Sequence, residues 1–253
     1  IEEGEFRDRG YLTLPGRQEE LIRKIAATGK PTVVILIGGS AVVMSEWLDQ
    51  VPAVLNAWYP GVEGGNAVAD VLFGDYNPSG KLPITYPIDE AQLPLNYSHK
   101  PTGRSDDYLN LTGEPLFPFG YGLSYSKFDY SGLKVTKAAQ GTAFHVTFSV
   151  KNTGKYAANE VVQLYLRDLI ASVTQPIIRL IHFKPISLAP GETKELHFTV
   201  NENDLSMLDK KLNRVIEPGD FRLMIGRSCK DIRLKTTLTV NHPTALETNH
   251  KYK

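Results

Sequence analysis

GGNAVADVLFGDYNPSGKLPITYP, residues 64–87, and FPFGYGLSY, residues 117–125, say more about the fold than any other part of this 253-residue chain. Val68, Val71 and Leu72 fall at helical spacing, so Gly64 to Phe73 reads as a helix with one apolar face. Gly74 stands where a helix stop belongs, because glycine takes the left-handed conformation of a C-terminal cap without steric cost. Asp75 to Gly80 is dense in turn formers: proline fixes φ and glycine admits φ > 0. The pattern predicts a helix running into a rigid loop.

Toward the N-terminus the signals alternate. Pro15 to Ala27 reads as a helix with Leu21, Ile22 and Ile25 as its apolar stripe, started by proline and stopped by Gly29. Thr32 to Ile37 is a continuous β-branched and aliphatic run, the pattern of a strand buried on both faces of a parallel sheet. Gly38-Gly39-Ser40 follows it, and Ala53 to Trp58 is a second short strand. Strands alternating with helices predict a parallel α/β layer.

That order breaks after Phe73. From there to about Lys127 the chain is rich in Pro, Gly, Asn and Tyr. A structureless connection this long is unusual inside a domain. Its aromatics, among them Tyr76, Tyr86, Tyr97, Tyr108, Phe117, Phe119, Tyr121 and Tyr125, predict that it packs against something. Beyond Phe128 short alternating segments take over. Phe144 to Val150, Glu195 to Val200 and Phe221 to Ile225 alternate with period 2, whereas Val161 to Leu166 alternates only in part, with Val162, Leu164 and Leu166 on one face. Turn signals at Asn152-Thr-Gly, Ala189-Pro-Gly and Glu217-Pro-Gly-Asp separate them. About seven short strands over roughly 115 residues predict an immunoglobulin-like or fibronectin-like sandwich. With no Cys…Trp…Cys core, a fibronectin type III-like one fits better. The fold class expected is thus α/β, a partial parallel α/β sandwich layer, followed by an all-β fibronectin type III-like sandwich. The boundaries expected are 1–95 for the α/β part, 96–127 for an aromatic-rich linker, 128–242 for the sandwich and 243–253 for a tail.

The bulk numbers narrow the function. Hydrophobic content of 42% and charged content of 22% are those of a soluble globule. A formal net charge of +0 with scattered Lys and Arg gives no reason to expect nucleic acid or a membrane surface as partner. No apolar run approaches the roughly 20 residues of a membrane helix. The single cysteine, Cys229, excludes an internal disulfide framework and a cysteine metal cluster. The chain opens IEEGEFRDRG without a Met, as a piece of a longer polypeptide would.

The two quoted stretches together resemble glycoside hydrolase family 3, the β-glucosidase and β-xylosidase family, where its second domain closes. Asn152-Thr-Gly, Leu188-Ala-Pro-Gly and Glu217-Pro-Gly-Asp-Phe are similar to that family's third domain. The resemblance covers essentially the whole chain and implies the end of the second domain plus the third. It implies a retaining, exo-acting hydrolysis of terminal β-linked sugars, with β-glucosidase the first choice and β-xylosidase, α-arabinofuranosidase and glucan exohydrolase open. Such chemistry needs two carboxyl groups about 5–5.5 Å apart, one a nucleophile and one a general acid/base. The family's Asp nucleophile lies on a TIM barrel, for which this chain has too few βα units.

The acid/base is implied to be Glu5. In the family it is a Glu a few residues before an Asp-Arg turn and an L-x-L-P segment. Glu5, Asp8-Arg9 and Leu12-Thr-Leu-Pro15 match that order, with Glu3 and Glu2 as alternatives in a loop of variable length. From composition alone the cluster Glu2, Glu3, Glu5, Asp8, Arg7 and Arg9 would read as a solvated charged loop. Asp70 and Asp75 match family positions with a capping and bracing role. No metal or organic cofactor is implied. The implied partners are an oligosaccharide or β-glucoside substrate and the missing barrel portion, as a companion polypeptide or an intimate dimer. The implied location is periplasmic or secreted, in a bacterium.

Other residues invite weaker readings. His99 and Arg104 lie in a loop that either borders a sugar site or is structural. His145, His182 and His197 sit on strands without metal-ligand spacing. Trp58 and Tyr59 could stack on a sugar or serve as core. Gly38-Gly39-Ser40 lacks both the spacing of a phosphate loop and the G-x-S-x-G context of a hydrolase nucleophile. Asn96 and Asn110 head formal glycosylation sequences. The rival from another class is a non-catalytic carbohydrate-binding or scaffolding module. Against it stands the half-sheet, since a self-sufficient module should not begin midway through a parallel sheet.

Overall fold

The computed structural model describes residues 9–102, 107–139 and 141–245. They form two compact units whose chain is interleaved. The first takes in the described residues of Ile1–Tyr76, Pro83–Asn96 and Asp106–Pro118; the second takes in those of Asn77–Leu82, Tyr97–Ser105 and Phe119–Lys253.

In the first unit, helix α1 (Gln18–Ala26) leads through a turn ending at Gly29 to strand β1 (Val33–Ile37). Strand β2 (Ala53–Trp58) pairs with β1 in parallel, and helix α2 (Gly64–Phe73) follows. The alternation read from the sequence is therefore present. Gly74 ends α2 at φ 87°, its N–H bonded to the Asp70 carbonyl at 3.1 Å. The expectation that β1 is buried on both faces is not met. Only Leu36 is buried, while Val33, Ile35 and Ile37 are 43%, 38% and 70% exposed. The physical reason is the size of the sheet: two strands, with no layer among the described residues over that face. Leu21 and Ile25 on α1 are likewise exposed, not buried.

The aromatic connection does pack. Tyr86 is fully buried, accepts a hydrogen bond from Asn56 Nδ2 at 2.7 Å, and meets Trp58 edge-on at 6.4 Å. The buried Gln92 closes the neighbouring loop by donating to the carbonyls of Thr112 and Glu114.

The second unit is the sandwich. One sheet runs in the order β3 (Phe128–Lys137), β4 (Phe144–Asn152), β7 (Thr193–Val200). The other runs β11 (Ile232–Val240), β10 (Gly219–Gly226), β5 (Ala158–Asp168), β6 (Arg179–Leu188), all antiparallel. A short helix α3 (Glu202–Leu205) and the small strands β8 (Met207–Leu208), β9 (Arg214–Ile216) and β12 (Thr244–Ala245) complete it. The period-2 residues meet in one core: Phe144, Val146, Phe148 and Val150 from β4, Val162, Leu164 and Leu166 from β5, Phe221, Leu223 and Ile225 from β10.

On β5 the opposite face is buried too, at Gln163 and Tyr165. The connection covers them. Tyr97 stacks on Phe119 with centroids 4.0 Å apart and meets Tyr165 edge-on at 6.4 Å. Gln163 Nε2 donates to the Gly120 carbonyl at 3.1 Å and to that of Arg227 at 2.6 Å. This second contact surface is why the alternation of Val161 to Leu166 is broken.

Candidate active site

Ligands of open parallel sheets collect at the carboxyl ends of the strands. In the first unit that edge is formed by Gly38 to Ala41 after β1 and by Trp58 and Tyr59 at the end of β2. The register slips by one residue there, so that Leu36 faces Asn56 but Ile37 faces Trp58. Trp58 adopts φ 52°, a left-handed conformation that is costly for a bulky side chain. The Gly38 N–H bonds to the Trp58 carbonyl at 3.1 Å, and the Tyr59 ring lies over Gly39. A Cβ on Gly39 would come within 2.5 Å of that ring, so a larger residue there would have to displace the Tyr59 side chain. Trp58 itself packs inward on Tyr86, whereas Tyr59 is 66% exposed.

Arg9 fastens the incoming chain to this edge. Its Nη2 donates to Ser40 Oγ at 2.6 Å and to the Ala41 carbonyl at 3.0 Å, and its Nη1 to the Thr13 carbonyl at 3.4 Å. The backbone continues the attachment. The Val43 N–H donates to the Leu12 carbonyl at 2.9 Å, the Leu12 N–H to the Glu90 carboxylate, and the Leu14 N–H to Glu19 at 3.3 Å. A cavity of about 360 Å³ lies between this segment and the sheet, with Arg9, Gln18, Ile37, Gly38, Ser40 and Tyr59 in its wall. It combines a fixed cation, amide and hydroxyl groups and an aromatic ring, a lining suited to a polyhydroxylated ligand.

Glu5, Glu3 and Glu2 lie outside the described residues, as does Arg104. Of the motif that contains them, Arg9 to Pro15 is described. The partnership of Arg9 with Ser40 was not read from the sequence. Its signal was a charged residue inside the matching motif and a hydroxyl just after a strand.

The remaining candidates have structural surroundings. The His99 carbonyl accepts from the Ile177 N–H at 3.0 Å, and its ring bonds the Lys100 carbonyl. His182 bonds Asp204 Oδ2 at 3.0 Å, and the same carboxylate accepts from the Asn201 N–H in the capping box of α3. His145 and His197 lie beside Thr199 and Glu195 on strand surfaces. No group of three His, Cys, Asp or Glu among the described residues is placed to hold a metal.

Residues 1–125 match the glycosyl hydrolase family 3 C-terminal domain, and residues 160–229 match a fibronectin type III-like domain. The chain belongs to glycoside hydrolase family 3. Among its family 3 relatives, a β-xylosidase of Formosa agariphila is 43% identical over 94% of this chain and 34% of its own length. A periplasmic β-glucosidase of Salmonella typhimurium is 41% identical over 88% of this chain and 31% of its own length. The crystal structure of a Listeria innocua β-glucosidase in complex with glucose superposes with a TM-score of 0.91 at 34% identity, over 95% of this chain and 35% of the other. The chain thus spans about a third of the length of the family members it matches.

Proposed function

We propose that this chain supplies the general acid/base, and not the nucleophile, of a retaining, exo-acting β-glycosidase whose substrates are β-glucosides. The observation that carries the reading is its identity of 41% to a β-glucosidase across most of its length. The order Glu5, Asp8-Arg9, Leu12-Thr-Leu-Pro15 matches the family's acid/base motif, and the bonds of Arg9 to Ser40 and Ala41 at the carboxyl edge of the sheet support the reading. The Asp nucleophile belongs to a barrel portion in the same longer polypeptide or in a companion one. The open flank of β1, with Ile37 70% exposed, supports a further layer there. A periplasmic or secreted location is supported by the Salmonella relative. β-Xylosidase is the second reading, favoured by the 43% identity to the Formosa enzyme.

The test is a leaving-group comparison on the full-length polypeptide, sized and assayed with aryl β-glucosides and the matching β-xylosides. Glu5→Gln should lose about 100-fold or more on poor leaving groups, which need protonation, and far less on a dinitrophenyl glycoside. Equal losses on both, or full activity, would refute the assignment. Glu3→Gln and Glu2→Gln in the same comparison test the alternatives.

A further inference from the structure

Residues 80–82 and 120–122 belong to the two stretches with which the sequence reading began, and the α/β reading left them without a physical role. They form a tight pair in the second unit. The Leu82 N–H donates to the Tyr121 carbonyl and the Gly120 N–H to the Leu82 carbonyl, both at 2.8 Å. The two backbones come so close at Gly122 that a Cβ would lie 2.0 Å from the Gly80 oxygen.

From this pair Lys81 extends to Glu160, which shares the parity of Val162, Leu164 and Leu166 on β5 and so points into the sandwich at the end of that row. Glu160 is 1% exposed. Its Oε1 lies 3.1 Å from Lys81 Nζ and its Oε2 2.8 Å from Arg227 Nε. Lys81 also donates to the Gly122 carbonyl at 3.2 Å, and the Arg227 guanidinium lies 5.8 Å from the Phe128 ring centre. Burial lowers the pKa of the Lys81 amine, opposed by the charge of Glu160. A buried carboxylate that loses a cation becomes a strong local liability, whereas an intact pair holds its partners in one register.

We propose that Lys81, Glu160 and Arg227 form an ionic clasp that locks residues 80–82 and 120–122 onto the end of the sandwich, with Lys81 as its removable pin. The clasp is a conformational device: without the Lys81 charge the paired segments open while the two sheets stay folded.

The inference is independent of Glu5, so activity is not its readout. Hydrogen exchange on the full-length polypeptide carrying Lys81→Met should show the Leu82 and Gly120 amides exchanging at least about tenfold faster, with β4 and β7 amides unchanged; Lys81→Arg should restore most of the protection. Unchanged exchange at Leu82 and Gly120, or equal loss across β4 and β7, would overturn the clasp. Lysine labelling of the unmodified protein does not depend on the variant folding. Lys81 should acetylate at least about tenfold more slowly than the surface-exposed Lys24, and labelling at the same rate would also overturn it.

Discussion

The Tyr130 hydroxyl is buried beside the clasp and meets no hydrogen-bond partner among the described residues. Its ring lies parallel to that of Phe148, with centroids 6.5 Å apart, so the side chain is held by packing alone. A buried hydroxyl without a partner costs roughly 1–3 kcal/mol of desolvation. Tyr130→Phe should therefore raise stability by about 1 kcal/mol, read from the denaturant midpoint at constant slope. A loss of stability would show that the hydroxyl has a partner. Single residues of this kind were the least legible part of the sequence. Glu160 stands at a core position of an alternating strand, and only the arrival of Lys81 and Arg227 explains how a charge can stay there. Lys81 lies 79 positions before Glu160, and no local pattern announces a pairing over that distance.

Elements were more legible, because period and punctuation are local properties. Helix α2 runs from Gly64 to Phe73 as the spacing of Val68, Val71 and Leu72 requires, and β2 runs from Ala53 to Trp58. What the periodicity misjudged was burial, which depends on neighbours. The aliphatic run of β1 reads as a strand covered on both faces, yet among the described residues it has one strand partner and exposed side chains. The paired segments 80–82 and 120–122 supply a prediction at this scale. Gly122→Ala places a methyl against the Gly80 backbone oxygen, which cannot rotate away as a side chain could. Stability should fall on the order of 2 kcal/mol, measured by chemical denaturation. A neutral substitution would mean that the two segments are not held as closely as described. Tyr59 over Gly39 is a softer contact, since the ring can move. Gly39→Ala should leave stability almost unchanged while altering the fluorescence of the neighbouring Trp58.

For the molecule as a whole, the sandwich was readable because its core is built from period-2 residues, and the family because two long motifs carry it. The candidate site was readable only in outline. Of the motif from Glu5 to Pro15 only Arg9 onward is described, and the bond of Arg9 to Ser40 joins residues 31 positions apart that no local pattern links. The buried phenols set a pH limit for the second unit. Burial, chiefly, raises the pKa of Tyr130 and of Tyr165, so both stay protonated in the folded chain where free tyrosine ionises. The unfolded chain then binds fewer protons than the folded one above about pH 10, and stability must fall as pH rises through that value. Thermal melts between pH 9 and 11 should show a declining midpoint, with part of the phenolate absorbance appearing only on unfolding. A flat midpoint would mean that both phenols reach solvent.

The interleaving of the chain has a practical consequence for cutting and grafting. A fragment starting at Phe128 would keep every long strand of the sandwich, yet it would lack Lys81 and Gly120. Glu160 would then have only one of its two cations, and the Gln163 amide would lose one of its two carbonyls. The fibronectin-like part is therefore not a portable module. Anyone transplanting it to another protein would have to bring along the earlier segments of the second unit, Asn77–Leu82, the stretch that begins at Tyr97 and the residues from Phe119 on, or redesign the charge and the aromatic face they cover.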